Sequence, residues 1–312
     1  MQVDRRNAEI CHPEQACKIV IPLFSISEEM IIYTTVKETQ KTISALRETG
    51  KSIGFVATMG ALHEGHLSLI RRSKKENDIT VCSIFVNPIQ FNNKEDLIRY
   101  PRTLEKDCRL LENEGCDFVF APDMEEMYPG GEKPKVEVDF GMLDKVMEGK
   151  FRPGHFNGVA IVVKRLFDII DPSRAYFGKK DFQQLAVIKH LVKTMKLPLE
   201  IVSCDTVREP DGLAMSSRNM RLTVAQRMIA PHIYHVLRSV KEKAGIVPVK
   251  KLKSWAILKI HEKQELRVEY LEVDDKDTLL PLNDWSARDR AVALAAVYLG
   301  DVRLIDNIEL FS

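Results

Sequence analysis

The chain is short of nearly every feature that would assign it quickly. In 312 residues its six cysteines (Cys11, Cys17, Cys82, Cys108, Cys116, Cys204) form no CxxC pair and no regular interval, which argues against a disulfide scaffold or a zinc ribbon. They read as small residues in a reducing compartment, and a cytoplasmic protein is expected. No apolar run approaches the roughly eighteen residues a membrane-spanning helix needs. Ile19–Phe24 is too short for the apolar region of a signal peptide. A net charge of +1 leaves no global field for nucleic acid or an anionic membrane, so neither is expected as a partner. There is no internal repeat, no low-complexity tract and no GxGxxG fingerprint, so a dehydrogenase lacks its usual support. Thr49-Gly50-Lys51-Ser52 contains GKS, but the leading glycine of a Walker A loop would fall at Ala45 and the segment precedes a strand.

What is present is a long strand–helix alternation. Residues 1–29 show no clear periodicity and read as an extension. After it come a helix over Val36–Arg47, a strand over Ser52–Ala57, a helix over Gly65–Lys75 and a strand over Ile79–Val86 that Asn87-Pro88 stops. Helix Glu95–Asn113, strand Asp117–Phe120, a helical turn Asp144–Glu148 ending at Gly149, and helix Val159–Ile170 follow. Strand Arg174–Phe177, helix Asp181–Met195 and strand Leu199–Val207 complete the series. This pattern predicts an α/β fold with a parallel sheet covered on both faces. Beyond about Arg221 the texture changes. Helices Val224–Ala244, capped by Thr223, and Lys250–Lys263 precede strands Arg267–Val273, Ala291–Tyr298 and Arg303–Ile308, the order of a smaller α+β unit. The expected division is 30–219 and 220–312.

The stretch Phe55–His66, FVATMGALHEGH, is the most informative. An apolar strand turns at Gly60 and enters a helix with His63 and His66 at its start. Unpaired N–H groups and the helix dipole favour an anion there, and imidazole N–H groups add to them; a nucleotide phosphate is the expected guest. Zinc is less favoured: the motif is not HExxH, and no third ligand stands nearby in sequence.

Four further stretches carry polar groups on loops. Asn87 and Gln90 lie in FVNPIQF at the C-terminal end of a strand, where open α/β sheets bind ligands. Arg152-Pro153-Gly154-His155 leads a loop rich in special conformers, and Gly178-Lys179-Lys180-Asp181 joins a strand to a helix. Met215-Ser216-Ser217-Arg218 offers two hydroxyls and a guanidinium suited to phosphates. Each also fits a plain reading taken singly: a strand-ending turn, a connecting loop, a solvated basic turn, an interdomain linker.

Together and in this order, the five stretches resemble the pantothenate synthetase, or pantoate–β-alanine ligase, family, and the likeness runs over residues 30–312 to Arg303-Leu304-Ile305-Asp306-Asn307. The resemblance implies a HIGH-type nucleotidyltransferase related to class I aminoacyl-tRNA synthetases. Its fold would be a Rossmann-like domain with a small C-terminal lid, usually a homodimer. It implies ATP as substrate with Mg²⁺, and condensation of D-pantoate with β-alanine through pantoyl adenylate, releasing AMP and pyrophosphate.

By position, Met59, Gly60, Ala61, Leu62, His63, Glu64, Gly65 and His66 would line the ATP site, as would Gly178, Lys179, Lys180, Asp181, the backbone at Val207, and Met215–Arg218. His63, His66, Lys180, Ser216, Ser217 and Arg218 would act in catalysis. Gln90 and Gln184 would hold pantoate, and Gln90 would also face β-alanine. Asn87, Tyr100, Glu148 and His155 fall at further family positions. Three departures are visible. Ala57 replaces a usual proline, which implies a looser loop into the ATP site. Lys179 replaces a usual glutamate, which implies extra charge for ATP. Lys106 breaks a run that is often carboxylate-rich, leaving Glu105 and Asp107, which argues against a protein ligand for Mg²⁺. The ion would be held mainly by phosphates and water, with Asp107 the one remaining protein candidate. The rival readings are a nucleotidyltransferase acting on a phosphate-bearing substrate, which leaves Gln90 and Gln184 without a purpose, and a nucleotide sensor without activity.

Overall fold

The computed structural model describes residues 30–92, 94–132 and 136–311. The expected extension, residues 1–29, lies outside them. The first unit runs β1 (Ile31–Tyr33), α1 (Val36–Glu48), β2 (Ile53–Thr58), α2 (Glu64–Glu76), β3 (Ile79–Ile84), α3 (Lys94–Ile98), α4 (Leu104–Asn113), β4 (Phe118–Phe120) and α5 (Met124–Met127). It continues with α6 (Met147–Phe151), α7 (His155–Ile170), β5 (Arg174–Gly178), α8 (Phe182–Thr194) and β6 (Glu200–Cys204). All six strands are parallel, in the order β1-β4-β3-β2-β5-β6.

The expected covered sheet is present, and strand alternation assigns its faces. Ile53 and Phe55 of β2 join the core shared with α1, α7 and α8, while Val56 joins the core shared with α2 and α4. Both faces are buried, which is why β2 and β3 read as nearly continuous apolar runs. The chain leaves β2 toward β3 and β4, then crosses back to β5 on the other side. The switch point therefore falls between the C-terminal ends of β2 and β5, where a parallel sheet opens a crevice.

Residues beyond β6 add α9 (Val224–Ile229), α10 (His232–Lys243), α11 (Val249–Ile260), β7 (Leu266–Asp275), β8 (Ala291–Leu299) and β9 (Val302–Glu309). The three strands form an antiparallel meander, and α10 and α11 pack on it to make a second core. Leu213 already belongs to that core.

Several local expectations change. Strand β1 was not expected: three residues are too few to show alternation, and Ile31 and Ile32 are exposed at the sheet edge. The single helix Glu95–Asn113 is two helices parted by Tyr100-Pro101, since proline drives the preceding residue out of helical conformation. Val224–Ala244 likewise breaks at Pro231. Residues 155–158 are the first turn of α7 instead of loop, entered through Gly154 at φ 80°. The helical turn near 144 begins later, at Met147, and contains Gly149.

Candidate active site

A cavity of ≈ 220 Å³ opens at the switch point. Its β2 side is built by the turn from Thr58 to His66. Gly60 and Ala61 both have positive φ, 79° and 51°, and alanine is strained in that region. The conformation is held from outside the cavity: Asp107 of α4, almost fully buried, accepts the N–H of Ala61 at 2.9 Å and of Leu62 at 2.8 Å. It also accepts the Thr103 hydroxyl at 3.1 Å. Gly60 donates to Thr58 Oγ1 at 3.2 Å. Gly60, Ala61 and Leu62 thus aim their amides at their own scaffold, and do not line the cavity as expected. The same bonds engage both oxygens of Asp107, the candidate ligand for Mg²⁺, in holding the turn. Among the described residues no group of three or more His, Cys, Asp or Glu could hold a metal ion. Asp107→Ala leaves two buried donors unmatched, so we expect a loss of about 2–3 kcal/mol in urea denaturation and a raised KM for ATP.

His63 is the N-cap of α2. Its Nδ1 accepts the Gly65 N–H at 3.2 Å, and Nδ1 of His66 accepts the His63 N–H at 3.3 Å. The two rings lie 4.1 Å apart. Gly65 leaves room for this, because a Cβ there would come within 2.9 Å of the His63 ring. Burial, with the Lys180 ammonium nearby, pushes His63 down to about 4. Burial, His63 and Lys180 push His66 down to about 3. Both rings are neutral at pH 7, and since each Nδ1 accepts, each carries its proton on Nε2. The pair is a fixed two-donor device without net charge. A ¹H–¹³C NMR titration should keep both rings neutral at pH 5.5, where an ordinary histidine is protonated. Folded values below 6.5 also mean that the unfolded chain takes up protons first, so these residues lower stability as pH falls from 6.5 toward 4. Glu64, the other member of the motif, is exposed and pairs with Arg71.

Opposite, β5 ends in a 3-10 turn, Lys179–Asp181. Lys180 and Asp181 line the cavity with Gly178, and their charged atoms stand 3.8 Å apart. Lys179 does not line it. Its ammonium lies 2.9 Å from both Asp205 and Glu309, so its charge is neutralised instead of facing a nucleotide. Ala57 is also not in a loop: it is within β2, in parallel register opposite Ser83.

The third wall is the segment Met215–Arg218. The Met215 N–H bonds the Val207 carbonyl at 3.0 Å, drawing the segment over the sheet. Ser216 caps a 3-10 turn through Ser217–Arg221, and Ser217 Oγ is 3.4 Å from the Tyr100 hydroxyl. Arg218 and Arg221 share Asp96 at 3.1 and 2.8 Å.

At the remaining end lie Asn87, Gln90, Gln184 and His155. Asn87 Nδ2 donates to Gln90 Oε1 at 3.2 Å and to the Gly158 carbonyl at the same distance, and Gln90 Nε2 stands 2.9 Å from Met59 Sδ. Burial and Arg152 hold His155 at about 4. Glu148 lies outside this cavity, facing the cleft toward the small sheet. Arg152 carries no role of its own from the sequence, although it lines this cavity and that cleft. Its only signal was its place in the loop motif. Val159, Val162, Val163 and Leu166 form an apolar wall along α7 at helical spacing, which from sequence looks like ordinary core.

The arrangement thus has donors and cations at one end and amides at the other, and comparison with known proteins agrees with it. A family model described as pantoate-β-alanine ligase matches residues 31–309. A pantothenate synthetase of Bacteroides thetaiotaomicron is 50% identical over 280 residues, covering 90% of this chain and 99% of the relative. One from Phocaeicola vulgatus is 51% identical over 281 residues, covering 90% and 99%. The crystal structure of pantothenate synthetase from Thermus thermophilus superposes with a TM-score of 0.85 at 45% identity, covering 91% of this chain and 100% of that one. The pantoate-β-alanine ligase of Francisella tularensis, complexed with β-γ ATP and β-alanine, gives 0.76 at 37% identity, covering 90% and 98%. With the model spanning both sheets and relatives at half identity over nearly their whole length, this chain belongs to the pantoate–β-alanine ligase family.

Proposed function

We propose that the protein condenses D-pantoate with β-alanine, using ATP, through a pantoyl adenylate. The observation that carries this is the convergence of His63, His66, Lys180 and Ser216–Arg218 with Gln90 and Gln184 on one cavity. In the first step a pantoate carboxylate oxygen bonds to the α-phosphorus as the bond to pyrophosphate breaks. In the second the β-alanine amine attacks the acyl carbon and AMP leaves. Neither step needs a covalent enzyme nucleophile. Alignment and charge stabilisation suffice, and the residues are of that kind. The two Nε2–H groups and Lys180 meet the phosphates, Ser216–Arg218 close on the departing pyrophosphate, and the Gln90 and Gln184 amides match the hydroxyls and carboxylate of a small hydroxy acid.

Mg²⁺ would arrive on the triphosphate, as this ion usually does, and the residues' own steps are derived without it. A homodimer is proposed on the family likeness, with light scattering as its check. The division into 30–219 and a lid over 220–312 is proposed on the two separate cores. Among the described residues no helix is long and apolar enough to cross a membrane. Cys82, Cys108, Cys116 and Cys204 are free and buried, which supports placing the protein in the cytoplasm. The test is product analysis with ATP, pantoate and β-alanine. AMP release that requires both organic substrates supports the reading, and ADP as product overturns it.

A further inference from the structure

A line of charged side chains joins the small sheet to the acid-substrate end of the cavity. Arg303 of β9 gives Glu148 of α6 a two-pronged contact, Nη1 to Oε2 at 2.8 Å and Nη2 to Oε1 at 2.6 Å. Tyr270 of β7 donates its hydroxyl to Oε1 at 2.8 Å. Burial pushes the Glu148 carboxyl up, but the hydrogen bonds and charge of Arg303 outweigh it, and the group ends below its ordinary value. Glu148 is therefore a carboxylate held by the small domain in a defined orientation.

From Glu148 the line runs on. Arg152 Nη1 is 3.5 Å from Oε2 and 3.1 Å from His155 Nε2. A guanidinium only donates, so Nε2 accepts, and the neutral ring carries its proton on Nδ1. Nδ1 donates to the Gln90 carbonyl at 2.8 Å. Gln90 is braced from behind by α7 as well: a Cβ on Gly158 would come within 2.8 Å of the Gln90 Cα. The Glu148 N–H bonds Gln183 Oε1 at 3.0 Å, next to Gln184 in the chain.

We propose that Arg303 is a positioning residue for the hydroxy-acid pocket: seating of the small domain on Glu148 fixes Arg152 and His155, and through them the backbone of Gln90. This inference rests on the proposed ligase activity. A plain interdomain staple would behave differently, because its loss would lower stability and disturb ATP and pantoate together. The comparator is Glu269, the second carboxylate on Arg303, which has no part in the path to Gln90.

The experiment measures KM for pantoate and for ATP, with thermal denaturation, in wild type, Arg303→Met, Arg303→Lys and Glu269→Gln. Misplacing a binding group by a fraction of an ångström predicts a pantoate KM raised about tenfold or more in Arg303→Met, with the ATP KM within about twofold. Arg303→Lys keeps the charge without the fork and should fall between; it also serves if Arg303→Met does not fold. Glu269→Gln should lower the melting temperature while leaving pantoate KM near wild type. Parallel rises in both KM values, or identical profiles for Arg303→Met and Glu269→Gln, overturn the inference alone. A wild type that ignores pantoate overturns the proposed activity and this inference with it.

Discussion

His66→Ala is expected to slow pantoate-dependent ATP–pyrophosphate exchange by about two to three orders of magnitude, the usual cost of removing one preorganised donor from a developing anion. The state of the ring decides this. A histidine with an ordinary value would be partly protonated near pH 6.5 and could act as a cation. His66 is held at about 3, and its Nδ1 already accepts the His63 N–H, so only its Nε2–H is on offer. That proton points from a helix start whose dipole favours the same charge. Truncation removes the donor and frees the His63 N–H, so part of the loss comes through His63 moving. His66→Gln, which keeps a donor but no ring, should recover only part of the exchange. A folded His66→Ala enzyme with near-normal exchange would falsify the assigned role.

The sequence was legible where function and local chemistry coincide. A strand, a glycine turn and two histidines at a helix start can be read from adjacent residues, because the capping bonds that orient the rings span only three positions. The sheet was readable for a similar reason, since β2 and β3 are buried on both faces and hide their period in apolar runs. Partnerships across the chain were not readable. Asp107 stands beside Lys106 in a broken acidic run, and nothing there announces that it meets the Ala61 and Leu62 amides 46 and 45 positions away. Lys179 looked like charge for ATP because Lys180 stands beside it. The 3-10 turn that follows β5 sends them apart, one into the cavity and one onto Asp205 and Glu309. The kinks at Pro101 and Pro231 were written in the sequence, but charge and apolar spacing on either side resembled one helix each. Arg303 shows the limit most clearly: its role depends on a carboxylate 155 positions earlier, and no local pattern announces that pair.

Lys180→Met should lower kcat/KM for ATP by about a hundredfold, the size expected when a preorganised cation is removed from a phosphoryl site. The residue stands where the switch-point cavity meets the cleft toward the small sheet. Its backbone is set by that sheet, since Asn307 of β9 donates to the carbonyls of Lys179 and Lys180 at 2.9 Å each. Methionine keeps the stem and packing, so a fall in activity without a fall in stability assigns the loss to charge. A second readout is independent of turnover. Lys180 is one of the groups pushing His63 and His66 down, so its removal must raise both toward 6.5, and an NMR titration of the apoenzyme should show His63 moving up from about 4. Lys180→Arg retains the charge and should leave the histidines low while restoring only part of the rate, because a planar fork does not replace a point charge at one oxygen. Unmoved histidines in Lys180→Met would place the ammonium away from the phosphate end, and the triphosphate would then have to be met by Arg152 and Arg218 instead.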